Sequence, residues 1–284
     1  LFVLTLFYSC ATTSKITALK PEPDDALPLV YDNTPSFISI PIAIKLKDIE
    51  NQTNKLMNGL IYEDTKIEDD DIEIKDASGN ILDKFLTLRQ QSKKSEGKPN
   101  MALADFIAPK TSGKQDYMGC FCVSTGFGTQ ELATQFEADH DDYNSIMIKA
   151  LADRLAEAFA EYLHKEVRIK YWSYASNENL SNYDLIKESY KGIRPAPGYP
   201  ACPDHLEKKT IWNLLKVEET IGVKLTESLA MWPAASVSGY YFGNPEAKYF
   251  GLGKIKNDQL KDYAKRRGIS NDEAQKWLNP NLAE

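Results

Sequence analysis

A chain of 284 residues with 42% apolar and 26% charged side chains can bury a substantial core, which excludes a disordered polypeptide and leaves one large domain or two small ones. A formal net charge of -7 excludes nucleic-acid recognition through a basic surface. The four cysteines, at 10, 120, 122 and 202, form no regular framework, and a chain this long needs no disulfides to hold a core.

In chain order, Leu1 to Ser9 is almost wholly apolar and ends at Cys10, the pattern of a secretory h-region before a lipoprotein-processing cysteine. That makes Cys10 a candidate for lipidation. The stretch is too short to span a bilayer as a helix, which takes about 20 residues, and its other reading is a buried strand. Residues 11 to 36 carry Pro21, Pro23, Pro28 and Pro35 and read as a linker. A strand is expected over Phe37 to Leu46 and a short helix over Lys47 to Leu60. The run Glu68-Asp-Asp-Asp71 reads as a solvated turn. Ile72 to Lys75 and Phe85 to Leu88 flank Gly79-Asn80, which predicts a hairpin or a strand leading into a helix.

Asp116 to Ser124 is the next strand, with Cys120 and Cys122 on one face as small buried hydrophobes. Gly126 and Gly128 fall far short of a dinucleotide fingerprint. Asp141 and Asp142 stand where an N-cap belongs. Beyond them Ile146, Met147, Ala150, Leu151, Leu155, Ala158, Phe159, Tyr162 and Leu163 recur at three and four, predicting a core helix to about residue 165 along that stripe. A second helix is expected over Glu207 to Ile221, its stripe interrupted by Glu218 and its end capped by Gly222. Gly239 to Phe242 and Lys248 to Leu252 read as aromatic strands on either side of a turn at Gly243 to Glu246. Two short helices close the chain, one stopped by Gly268 and one opened by the capping box Ser270-Asn-Asp-Glu273.

Gly192-Ile-Arg-Pro-Ala-Pro-Gly-Tyr-Pro-Ala-Cys-Pro-Asp-His205 is the most informative stretch. Four prolines and two glycines stiffen it, so little is left to order on binding. It carries one cation, Arg194, one aromatic, Tyr199, one thiol, Cys202, and one imidazole, His205. A guanidinium forks onto a carboxylate and a phenol ring stacks on a heterocycle. The loop therefore suits a ligand with an acid at one end and a flat ring at the other, or else it is a structural loop whose arginine makes a surface ion pair. Cys202 and His205 suggest a metal pair, but a zinc site takes four ligands, or three plus water, and no second pair lies nearby; no metal is expected.

This loop, together with Lys224-Leu-Thr-Glu-Ser228, Ala230-Met-Trp-Pro233, Ser236-Val-Ser-Gly-Tyr-Tyr-Phe242, Leu88-Arg-Gln-Gln91, Leu103-Ala-Asp-Phe-Ile-Ala-Pro-Lys110, His140-Asp-Asp-Tyr-Asn144 and Ala150 to His164, resembles the S-adenosylmethionine-binding activation domain of cobalamin-dependent methionine synthase, over about residues 72–284. The resemblance implies an α+β fold, a curved antiparallel sheet near residues 116, 235 and 249 packed with helices. It implies that Arg194 holds the carboxylate of S-adenosylmethionine, that Gly198 and Tyr199 border the adenosyl part, and that Glu157 faces the ammonium and sulfonium. Tyr249 and Phe250 would close the site, although core packing accounts for these two equally well. His205 would face the cobalamin-carrying module or make a local hydrogen bond.

By the same resemblance the chain is a module of a cobalamin-dependent 5-methyltetrahydrofolate–homocysteine methyltransferase, in methionine biosynthesis. Cobalamin sits on a partner module and a flavodoxin-type protein donates an electron. The place is the cytoplasm, no nucleic acid is bound, and no residue of this chain need act as a general base. Residues 1–71 depart from that family: its ligand-contacting aspartate in a Phe-Ile-Asp-Trp context is missing. Phe37-Ile-Ser-Ile-Pro41 and Asn58-Gly-Leu-Ile-Tyr-Glu63 resemble instead the start of an uncharacterised bacterial lipoprotein family. Two alternatives follow from that start: a membrane-anchored envelope lipoprotein with a structural or binding role, or a chimeric reading frame, joined at residues 69–75, with impaired ligand binding.

Overall fold

Gly79 adopts φ +85, and the Asp76 carboxylate accepts hydrogen bonds from the Ser78 and Asn80 N–H groups, so the chain reverses where the turn signal stands. In the computed structural model, which describes residues 61–63, 70–96 and 98–283, this turn joins β2 (Asp71–Lys75) to β3 (Ile81–Leu86), and β1 (Ile61–Glu63) pairs antiparallel on the other side of β2. Cys10, the strand expected at 37–46 and the helix expected at 47–60 lie outside the described residues. All described elements fall within the unit Leu46–Glu284.

The acidic run does not end as a solvated turn. Asp71 is buried in β2 and ion-paired with Arg266, and Asp70 is ion-paired with Arg89. The apolar alternation of β2 draws Asp71 into the sheet, and burial raises the Asp70 carboxyl although the Arg89 guanidinium opposes the shift.

The central pair of strands, β4 (Met118–Ser124) and β7 (Ser236–Phe242), meets in unbroken antiparallel register from Met118 opposite Phe242 to Ser124 opposite Ser236. Between them in the chain come α1 (Thr129–Ala138), α2 (Asp142–Glu166), α3 (Asn182–Ile186), α4 (Glu207–Leu215), α5 (Val217–Ile221) and the two-residue strands β5 (Lys224–Leu225) and β6 (Met231–Trp232). After β7 (Ser236–Phe242) come α6 (Asn257–Arg267) and α7 (Asn271–Leu278). The fold is α+β with small antiparallel sheets. No helix among the described residues is long and apolar enough to cross a membrane.

Every residue of β7 is buried, because both of its faces are covered. Tyr240 and Phe242 point into a core with Ile72, Phe85, Leu103, Ile193 and Ile211, while Val237 and Tyr241 pack with Phe121 and Val123 beneath α2. A third core, of Leu86, Leu252, Ile255, Leu260, Tyr263 and Leu278, holds α6 and α7.

Three further expectations are corrected. The helix over 142–166 forms, capped by the Asp141 side chain on the Asn144 N–H, but the predicted stripe is not its buried face. Ile146 is 68% exposed, Leu151 50% and Tyr162 58%, whereas Ala152, Ala156 and Ala160 are buried. Alanines spaced by four let the helix lie close on β4 and β7; Phe159 and Leu163 of the stripe pack partly buried against that core, while Ile146, Leu151, Leu155 and Tyr162 are turned away from it. The helix expected over 207–221 is two helices, because Lys216 takes a left-handed conformation (φ 48, ψ 49) between α4 and α5; Gly222 ends α5 as expected. Lys248 to Leu252 is not a strand. The edge of β7 that it would need is taken by the proline-rich loop: Ile193 and Phe242 exchange N–H to C=O bonds at 3.0 Å, and the Tyr240 N–H donates to the Pro195 carbonyl at 2.9 Å.

Candidate functional site

These ladder bonds place Arg194. Proline fixes φ and removes donors, so the loop cannot continue as a full strand, yet it pairs at Ile193 and Pro195 and so holds the arginine between them. Gly239 makes this approach possible: a Cβ there would stand 2.6 Å from the Pro195 carbonyl oxygen and 2.9 Å from the Phe121 ring. Gly198 has a parallel role further along. With φ +92 and its would-be Cβ 2.3 Å from the His205 imidazole, it turns the chain and leaves room for that ring.

Facing the loop, α2 carries Glu157 and Glu161 one turn apart on the flank of the buried alanine face. Between helix and loop lies a cavity of about 660 Å³, lined among others by Phe121, Glu157, Glu161, Tyr190, Arg194, Tyr199, Tyr249 and Phe250. That volume lies within the usual range for small-molecule sites. Arg194 Nη2 donates to Glu161 Oε2 at 3.0 Å, while its Nε is buried without a hydrogen-bond partner among the described residues. Tyr249 fixes the loop: its hydroxyl accepts the Arg194 N–H at 3.0 Å and meets the Tyr190 hydroxyl at 3.2 Å. The Tyr199 hydroxyl donates to Glu157 Oε1 at 3.4 Å, and the residue stays 54% exposed. Burial, then the Glu157 charge, raises the Tyr199 phenol, so it stays protonated as a donor.

Behind Arg194 lies a buried polar layer. Arg168, fully buried, donates from Nε and Nη2 to the Glu178 carboxylate at 2.8–3.0 Å, and its guanidinium lies 4.3 Å from the Tyr190 ring centroid. His164 is stacked on Tyr241 with ring centroids 5.2 Å apart. Burial, reinforced by the Arg168 and Arg194 charges, pulls its pKa down to about 2, so the imidazole is neutral.

Of the residues singled out in the sequence, Arg194, Glu157, Tyr199, Tyr249 and Phe250 line this one cavity, and Phe250 also packs edge-on against Phe106 in the core. Gly198 stands behind the lining, its N–H bonded to the Cys202 carbonyl at 2.7 Å. His205 lies outside the cavity, half-buried on Gly198 with Trp277 6.5 Å away between ring centroids. Cys202 is buried, which pushes its thiol up to about 12, and burial does the same to Cys120 and Cys122. No group of three or more metal-ligating side chains occurs among the described residues. Glu161 and Tyr190 escaped the sequence reading. Glu161 was within reach of it, being four residues after Glu157 and so on the same helix face.

The site is a pocket held between a helix with two carboxylates and a loop with one arginine, in an α+β domain. The chain belongs to the family of the vitamin B12 dependent methionine synthase activation domain, whose model matches residues 45–268. That match starts ahead of residue 72, where the motif resemblance begins, and so takes in β1. Among solved structures, the chain is similar to the crystal structure of the MetH reactivation domain bound to AdoHcy, with a TM-score of 0.75 and 54% identity over 84% of this chain and 76% of that one.

Proposed function

We propose that the chain binds S-adenosylmethionine in the Arg194 cavity and presents its methyl group for the reductive methylation of cobalamin carried by a partner module of methionine synthase. Family membership and the AdoHcy of the similar structure support the reading. The observation that carries it is the Arg194 guanidinium: with its backbone held by Tyr249 and its Nη2 by Glu161, it lines a cavity together with carboxylates, aromatic rings and aliphatic side chains.

In this reading Arg194 forks onto the ligand's carboxylate. Glu157 offers an anion to the ammonium and sulfonium, and Tyr199 lays its exposed ring beside the adenine, with the Gly198 turn behind it. Tyr249 and Phe250 close the wall beside Arg194. The sulfonium supplies the reactive methyl, so the task of the protein is to orient it and exclude water. A flavodoxin-type protein as the electron donor belongs to the same proposal, as does a cytoplasmic setting.

Addition of S-adenosylmethionine to the full chain is expected to raise its melting temperature, by the linkage of binding to folding. Arg194→Ala is expected to remove that rise. A melting temperature of the unsubstituted chain that does not respond to millimolar ligand sinks the proposal.

A further inference from the structure

Glu161 stands between two arginines that are held to different degrees. Its Oε2 accepts from Arg194 Nη2 at 3.0 Å, and its Oε1 lies 3.9 Å from Arg168 Nη1, beyond hydrogen-bond reach. Arg168 has Nε and Nη2 engaged by Glu178, while Nη1 is buried with no hydrogen-bond partner among the described residues. Glu161 Oε1 is unpartnered in the same way. An unused donor and an unused acceptor thus face each other, and a shift on the order of 1 Å would join them.

Arg194 shows the converse. Its Nε is buried without a hydrogen-bond partner among the described residues, and its Nη2 is taken by Glu161. A carboxylate approaching side-on uses Nε and Nη2 together, so it requires the donor that Glu161 holds. Two carboxylates on one nitrogen also repel each other.

We propose that Glu161 is an internal stand-in for the ligand's carboxylate, holding Arg194 in its binding posture and turning onto Arg168 Nη1 as that carboxylate takes the Nε–Nη2 edge. The inference rests on the reading that Arg194 receives a carboxylate. It makes Glu161 a positioning residue with two resting places, and in both of them each buried charge keeps an opposite partner. The handover also gives the cavity a preference for ligands that bring their own anion, since only these displace Glu161.

The test combines a crystal structure of the full chain with S-adenosylhomocysteine and calorimetric titrations of the unsubstituted chain and Glu161→Gln. The two probes are S-adenosylhomocysteine and 5′-methylthioadenosine, which keeps the adenosyl group but lacks the carboxylate. The expected structure has Glu161 within hydrogen-bond distance of Arg168 Nη1 and the ligand's carboxylate on Arg194. Glu161→Gln, which keeps the shape and removes the competing charge, is expected to bind S-adenosylhomocysteine about threefold more tightly and 5′-methylthioadenosine with unchanged affinity. Bound ligand with Glu161 still on Arg194, or a variant that loses affinity for both probes, overturns the handover alone. Failure of S-adenosylhomocysteine to bind at all overturns the reading beneath it as well.

Discussion

Arg168 and Arg194 lie on either side of Glu161, and the contrast between them separates what holds this fold together from what it offers a ligand. Arg168 is fully buried, engaged twice by Glu178 and covered by the Tyr190 ring. Arg194 has a side chain 20% exposed, a partner carboxylate 25% exposed and an unpartnered Nε. A buried, multiply bonded ion pair locks structure, whereas a partly exposed pair with one good contact leaves its cation more available. One belongs to the framework and the other to the site.

The sharpest way to break the contrast is Glu178→Ala, which strands the Arg168 charge in the interior and is expected to cost about 3–5 kcal/mol in denaturant unfolding. Arg194→Ala should instead leave stability within about 1 kcal/mol while weakening ligand binding by about 2–3 kcal/mol, the worth of hydrogen bonds to a charged group. If the two substitutions destabilise equally, the division between framework and site fails. Gly239→Ala addresses how the loop is held: its Cβ collides with the Pro195 carbonyl and the Phe121 ring, and a loss of about 1–3 kcal/mol is expected, with ligand affinity falling alongside as Arg194 moves.

A smaller effect comes from His164, in the layer between the two arginines. Its native pKa is lowered, to about 2 from 6.5, so unfolding takes up a proton at acidic pH. The stability this contributes is fully present above pH 6.5 and is lost as pH falls toward 2, with a slope of up to ~1.4 kcal/mol per pH unit. Unfolding free energies measured at pH 7, 6 and 5 should show a weaker decline in His164→Phe than in the unsubstituted chain; equal declines would show that the imidazole is not held neutral.

The sequence made local signals legible and left long-range competition hidden. The Asp141 and Ser270 caps, the Gly79-Asn80 reversal and the Gly222 and Gly268 stops all act within a few residues, and each stands where expected. Which face of α2 is buried depends on what it meets, and periodicity weighted toward large side chains passed over the alanines that meet β4 and β7. The strand expected at 248–252 had the right composition but lost its place on β7 to residues 193–195, about fifty positions earlier in the chain. Much of the candidate site was visible because its loop is a continuous run of unusual residues. Tyr190 and the Arg168–Glu178 layer were not, since only folding brings them behind Arg194.

Calorimetric titration of S-adenosylhomocysteine into the full chain and into Arg194→Ala tests the central claim most directly. The account predicts one site per chain and a loss of affinity of about thirty-fold or more in the variant, the equivalent of about 2 kcal/mol. Equal affinity in the two proteins would contradict it, because the carboxylate would then be held by something other than Arg194.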